Sequence, residues 1–211
     1  MNGGSLICVH GVGGGPRDFG DWHVAIPQWS VVTPDLQAET VDLAGTTMDD
    51  YAAAVERVLP SATPVFVAGW SMGGLVAMMV AGRVPITGLI LIEPSLPAEV
   101  QGVRDGEVPA RGTIDPEAIY GPRADAIAAR PDSLYALGER RRGVFVGQVS
   151  CPTLVIGGRD FGATRSEPIA THLDADLEQF PSIGHVELLH DAAVLGLVDR
   201  WLDSVRLKPT E

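Results

Sequence analysis

Ser71 stands in Gly69-Trp70-Ser71-Met72-Gly73, between the apolar run PVFVAG at 64–69 and a small, apolar stretch from Met72 to Arg83. A strand that turns into a helix within a residue or so forces the serine backbone into a sparsely populated conformation. Side chains two positions before and after it would clash, so glycine is required at both. Such a turn lifts the hydroxyl above the end of a sheet, at the head of a helix whose dipole favours developing negative charge. The chemistry this suits is nucleophilic attack on a carbonyl. The pattern alone also describes a plain glycine turn; the strand before and the helix after favour the nucleophile.

A serine hydroxyl is inert without a base and a group that orients the base, and behind such a turn they follow in the order acid, then histidine. His185, in PSIGHVELL, lies just after the last strand-like run and at the head of a long amphipathic stretch, and is the expected base. His190 falls inside that helical pattern and points elsewhere, His172 ends an amphipathic helix where a cation complements the dipole, and His23 lies in a polar loop near the expected crevice. For the acid, Asp160 in GGRDFG follows the run 152–158 and is the expected partner of His185. Glu93, at the end of the run 88–93, is the rival. Asp35 ends another run (VVTPD) and is read as a loop stabiliser.

A third constellation, His10-Gly11-Val12-Gly13-Gly14-Gly15-Pro16, directly follows the first apolar run. A dinucleotide-binding turn fails here: the third glycine of G-x-G-x-x-G falls on Pro16 or on Asp18, and Gly20 and Pro27 interrupt the helix that would receive a pyrophosphate. No G-K-S/T follows, so a phosphate-binding P-loop fails too. The remaining reading is an oxyanion loop. Backbone N–H groups of Val12 and Met72 would stabilise the oxygen that turns negative under attack by Ser71. Gly11, Phe19, Trp22 and Trp70 are the candidate pocket residues, and His10 is expected to brace the loop.

These residues need a frame, and the hydrophobic pattern supplies one. Strand-like runs at 5–9, 30–34, 64–69, 88–93, 152–158 and 175–180 are mostly apolar on consecutive residues, as in a parallel sheet covered on both faces. Helical patterns alternate with them: one from Met48, N-capped by Thr46 or Thr47, then Met72–Arg83, Thr164–Leu173 and Val186–Val205. The expected fold class is α/β, a mostly parallel central sheet of about six strands flanked by helices, with its ligand crevice at the carboxyl ends of the strands. Residues 1–211 read as one domain. From about 95 to 150 the chain turns Pro-, Gly- and Arg-rich, and this segment is expected to be a cap inserted over the crevice.

Bulk composition narrows the partners. At 45% hydrophobic and 20% charged, the chain is not disordered. A net charge of −12 argues against nucleic acid, which demands a basic face. Cys8 and Cys151 read as small buried hydrophobes in a reducing compartment. The start, MNGGSLICVHG, lacks a signal-peptide pattern, and no apolar run approaches the ~20 residues of a membrane span. A cytoplasmic location is expected, with no metal and no cofactor.

HG-VGGG, GWSMGG, GGRD and GHVELL, in this order, resemble the motifs of the α/β-hydrolase superfamily over nearly the whole chain except 95–150. The resemblance implies Ser71 as nucleophile, Asp160 as orienting acid, His185 as base and Val12 and Met72 as oxyanion donors. The antiparallel hairpin that usually precedes the oxyanion strand is missing, so a minimal sheet is expected, its edge protected by the cap or a partner chain. Serine at the elbow, not aspartate, disfavours the dehalogenase and epoxide hydrolase branches; small esterases and thioesterases look most similar. The expected function is hydrolysis of a small ester or thioester through an acyl-enzyme. The alternatives are C–C hydrolysis, lyase or perhydrolase chemistry on the same triad, with the arginines of GERRRG binding an acidic substrate, or a non-catalytic ligand-binding protein of the same fold. The sequence leaves the oligomeric state open.

Overall fold

A computed structural model describes residues 3–38, 40–61, 64–101, 111–113, 115, 117 and 124–207 of the chain. The described residues form one parallel sheet of six strands: β1 (Ser5–Val9), β2 (Ser30–Val32), β3 (Val65–Trp70), β4 (Gly88–Ile92), β5 (Thr153–Gly158) and β6 (Asp176–Phe180). Their spatial order is β2-β1-β3-β4-β5-β6. The chain therefore starts inside the sheet and reverses direction of travel after β2, which puts the topological switch point at β1 and β3. That is where an open α/β sheet leaves a crevice at its carboxyl edge. In register, Val9 lies beside Gly69 and Ile92 beside both Trp70 and Ile156. The loops carrying the glycines, Ser71, Glu93 and Asp160 thus emerge side by side.

The four inner runs become strands because their two faces are both covered, whereas the edge strands β2 and β6 are partly to largely exposed. Tyr51, Val55, Leu75, Met78 and Met79 share one core with Ile7, Val67 and Leu89. These come from α2 (Met48–Glu56) and α3 (Met72–Ala81). On the opposite face Trp22, Trp201 and Leu202 share a core with Leu6, Phe66 and Ile90. They are supplied by α1 (Trp22–Ala25) and α8 (Ala192–Arg206). Each such side chain contributes about 1.5–3 kcal/mol by leaving water. β2 stops at Val32, short of the expected Pro34, because proline has no N–H to give a ladder. Thr47 caps α2 with a reciprocal Thr47–Asp50 capping box.

The amphipathic stretch expected as one helix from Val186 is divided. A 3-10 turn spans Glu187–Leu189, and α8 begins only after Asp191, whose carboxylate accepts from the amides of Ala193 and Val194. The break keeps His185 and Val186 on a loop. The helix expected from Thr164 likewise splits into a π-helical turn, Gly162–Ser166, followed by α7 (Glu167–Leu173).

Within 95–150 lie α4 (Ala98–Gln101), α5 (Ala124–Ala128) and α6 (Leu134–Arg142); part of the expected cap falls outside the described residues. A buried polar cluster ties α6 to the body. Asp132 accepts from the Tyr51 hydroxyl and, at 2.6 Å, from Arg140 Nη2. Burial first, then the neighbouring Asp132 charge, pushes the Tyr51 hydroxyl far above its ordinary value. Cys8 and Cys151 are free thiols, and no helix is long and apolar enough to cross a membrane among the described residues.

Candidate active site

Ser71 joins β3 to α3 with φ 57° and ψ −120°, the strained turn expected from its glycines. A Cβ on Gly69 would strike the Gly73 carbonyl, and one on Gly73 would strike the Val9 carbonyl of the neighbouring strand. The turn is pinned from both sides: the Ser71 amide donates to the Ile92 carbonyl at 3.0 Å, and Ser95 N–H donates to the Ser71 carbonyl at 2.8 Å.

His185 sits on the loop after β6, and the carboxylate at its imidazole is that of Glu93, not of Asp160. His185 Nδ1 lies 2.6 Å from Glu93 Oε2. Glu93 is fully buried, and its other oxygen accepts from the amides of Gly158 at 2.9 Å and Phe161 at 2.7 Å. Burial pushes this carboxyl up, but the hydrogen bonds from His185 and Phe161, the His185 charge and the Gly158 amide together hold it below its ordinary value. Glu93 reaches the histidine because its own backbone turns into the left-handed region, φ 38°, immediately after β4. Asp160 holds the histidine's backbone instead. Its Oδ2 accepts from the His185 N–H at 2.9 Å, and its Oδ1 lies 3.5 Å from Arg159 Nε. It fixes the loop, and Glu93 fixes the ring.

Trp70 finishes the placement of the histidine. Its indole N–H donates to the His185 carbonyl at 3.0 Å, and its ring lies against the imidazole at 4.9 Å between centroids. Phe161 packs edge-on against the imidazole at 5.0 Å. With Nδ1 facing an ionised carboxylate, the neutral imidazole carries its proton on Nδ1, and Nε2 is left with a lone pair.

Ser71, His185, Trp70 and Val12 line one cavity of about 710 Å³, closed further by Ile127 and Leu137 from the cap. Arg140 also lines it, with Nη1 at 3.1 Å from Met72 Sδ. The amide of Met72 is the first of α3, which the helix's own ladder leaves without an acceptor. Gly11 brings the glycine loop in close: a Cβ there would lie 3.0 Å from the Ser71 Cβ and 3.1 Å from the Trp70 ring. His10 braces this loop, with Nδ1 2.9 Å from the Gly11 carbonyl and Nε2 accepting from the Leu36 amide at 3.1 Å.

Two expected pocket residues are elsewhere. Phe19 and Trp22 are buried in the core beneath the loop, edge to face with one another, and the Trp22 indole donates to the Leu189 carbonyl. Their large apolar surface is better buried against α8's face of the sheet than left in a crevice. His190 is partly exposed, 3.4 Å from Asp21, and His23 is exposed. Sequence reasoning did not single out Phe161 and Arg165; the only signal was their proximity to Asp160 on a strand-end loop. Among the described residues no group of three or more His, Cys, Asp or Glu is arranged to hold a metal ion.

Comparison with known proteins agrees with this architecture. A family model described as a thioesterase domain matches residues 5–92, from β1 to β4 and under half of the chain. A sequence search of curated proteins finds no match. Similar solved structures include a lipase-esterase related protein from Clostridium acetobutylicum, with TM-score 0.68 and 16% identity over 95% of each chain. MenH from S. aureus aligns with TM-score 0.68 and 15% identity, over 98% of this chain and 96% of that one. The methylesterase MES16 from Arabidopsis aligns with TM-score 0.69 and 17% identity, over 97% and 99%. The six-stranded parallel sheet with its serine elbow has the fold of these structures, the α/β-hydrolase fold. The thioesterase-type match covers the part of the chain that carries the glycine loop and the elbow.

Proposed function

We propose that the protein is a serine hydrolase acting on a small ester or thioester through a Ser71–His185–Glu93 triad. The observation that carries this reading is the strained Ser71 facing the same cavity as His185, whose Nδ1 is held by a buried, ionised Glu93. The thioesterase-type match and the esterase-named structural neighbours support the ester or thioester class.

His185 Nε2 takes the Ser71 proton as Oγ bonds to the substrate carbonyl carbon, and the carbonyl oxygen becomes an oxyanion. The amides of Val12 and Met72 receive that charge, aided by the N-terminal end of α3. Glu93 stabilises the imidazolium without accepting its proton. His185 then protonates the departing alkoxide or thiolate as the tetrahedral centre collapses to the acyl-enzyme. Water, deprotonated by the same Nε2, attacks the acyl carbon; collapse returns the proton to Ser71 Oγ and releases the acid.

The test is turnover of p-nitrophenyl and thioester acyl donors together with labelling by a fluorophosphonate. Both are expected in the native protein and lost in Ser71→Ala. An alanine variant that still labels, or a native protein that neither labels nor turns over either donor, overturns the reading.

A further inference from the structure

Three guanidinium groups border the cavity, from Arg140, Arg159 and Arg165. Two of them have carboxylates. Arg140 is bound to Asp132, and Arg159 Nε lies 3.5 Å from Asp160. Arg165 has none: among the described residues no carboxylate lies within ion-pair distance of it, and its side chain donates no hydrogen bond. It rises from the π-helical turn after β5 and stacks on the Phe161 ring, 3.7 Å from guanidinium carbon to ring centroid. A π face holds the charge in place but satisfies none of the in-plane N–H donors of a guanidinium. The cost of that arrangement is visible in its basicity, which burial lowers, with the more distant Glu93 charge opposing. The acidic groups beside it are otherwise engaged: Asp160 and Glu187 accept from the backbone amides of His185 and Gly184, and Asp125 lies exposed on the cap.

The order of the stack tells which part of a substrate would meet it. Trp70 packs on His185, His185 on Phe161 and Phe161 on Arg165, so Arg165 joins the cavity through the residues that surround the histidine. His185 hands its proton to the leaving group, which therefore departs on the histidine side, and the acyl chain is left the rest of the lining, which includes Val12, Ile127 and Leu137. Resting on the hydrolase reading above, we propose that Arg165 is a specificity residue that binds an anionic group, a carboxylate, carried by the leaving alcohol or thiol of the substrate.

The test compares three butyrate-sized esters: phenyl butyrate, p-carboxyphenyl butyrate with the carboxylate on the leaving group, and monophenyl glutarate with it on the acyl chain. The readout is the ratio of kcat/KM for each charged ester to that for phenyl butyrate, so any loss common to all substrates cancels. Arg165→Gln is expected to lower the p-carboxyphenyl ratio roughly 10–100-fold, chiefly through KM, since a charge-assisted hydrogen bond made in both ground and transition states is removed. The monophenyl glutarate ratio should stay put, and Arg165→Lys should retain part of the preference. A p-carboxyphenyl ratio that does not move, or a monophenyl glutarate ratio that falls instead, overturns the assignment. Should no ester be turned over and no fluorophosphonate label appear, it is the hydrolase reading that fails. Calorimetric binding of p-carboxyphenyl butyrate and phenyl butyrate to Ser71→Ala then decides the anion site by itself. A preference for the charged ester that Arg165→Gln removes sustains it, and equal affinities overturn it.

Discussion

Exchanging the acid for its amide separates the two carboxylates near His185. In Glu93→Gln the shape is kept and the charge is lost. Glu93 meets three N–H donors, from His185, Gly158 and Phe161, and a carboxylate accepts all of them. An amide has one oxygen. If that oxygen faces the two backbone amides, its NH₂ faces His185 Nδ1, and the imidazole must move its proton to Nε2, where it no longer acts as a base. If the oxygen faces His185, the NH₂ is driven against two buried N–H groups, at about 1–3 kcal/mol for each one left unsatisfied. The first arrangement costs less for folding and more for catalysis. A tautomer error of this kind lowers kcat by about 10⁴, equivalent to about 5 kcal/mol of barrier. Asp160→Asn keeps an oxygen for the His185 amide and weakens the attraction to the half-exposed Arg159, worth about 0.2–1 kcal/mol. It should cost less than about ten-fold. The assay is kcat with a p-nitrophenyl ester and the rate of fluorophosphonate labelling, with circular dichroism to show that each variant is folded. If Asp160→Asn is as damaging as Glu93→Gln, the assignment of Glu93 as the orienting acid is refuted.

The strain at the elbow and the buried groups near it give two further expectations. Ser71→Gly should abolish turnover yet raise the urea midpoint, by about 1 kcal/mol of stability, because a non-glycine residue at φ 57° carries about 1–3 kcal/mol of strain and glycine gives back part of the gain as chain entropy; a lower midpoint would contradict this. Stability should also fall on acidification in two stages. His10 is held below its ordinary 6.5 by burial, with Arg130 adding to the effect, so the unfolded chain binds the proton first and stability is lost as pH falls from 6.5 towards the lowered folded value. Glu93, also lowered, contributes stability that is complete above its ordinary 4.5 and is lost as pH drops through its folded value. Urea midpoints across this range should show both losses, and a flat profile from pH 7 to 5 would remove His10 from the account.

How much of this was legible in the sequence depends on how local the cause is. Ser71 was legible because its constraint lies within five residues: two glycines, a strand before and a helix after. The four inner strands were legible because burial on both faces leaves continuous apolar runs; β2 lost its last two residues, to Pro34, and the other bounds moved by at most one residue. His185 was legible from its place after the last strand; the helix boundary behind it was missed, although Asp191 carried the ordinary N-cap signal. Phe19 and Trp22 were misplaced because an aromatic residue on a loop after a strand reads alike whether it faces a crevice or the core. That choice is made by α8, more than 160 residues away.

The acid is the most instructive case. Glu93 and Asp160 follow the ends of adjacent parallel strands, and β4 and β5 pair in a register that sets Ile92 against Ile156, so both carboxylates emerge close together. Spacing cannot separate them. What separates them is the backbone: the left-handed turn at Glu93 throws its side chain over the end of β5, where the amides of Gly158 and Phe161 already point. Asp160, two residues beyond β5, has passed that position, and its carboxylate meets the loop's backbone. Of the three described non-glycine residues at positive φ, Ser71, Glu93 and Asp174, the two at the site are each held by a hydrogen bond to the strand beside it: Ser71 N–H to Ile92, Glu93 N–H to Ile156. Of the three proposed triad residues, Ser71 and Glu93 are fixed by neighbouring strands of one sheet, and His185 rides on a loop. That loop is therefore where Asp160, Trp70 and Glu187 are concentrated, each holding its backbone by a hydrogen bond. Loosening any of them should blur the position of His185 without disturbing Ser71 or Glu93.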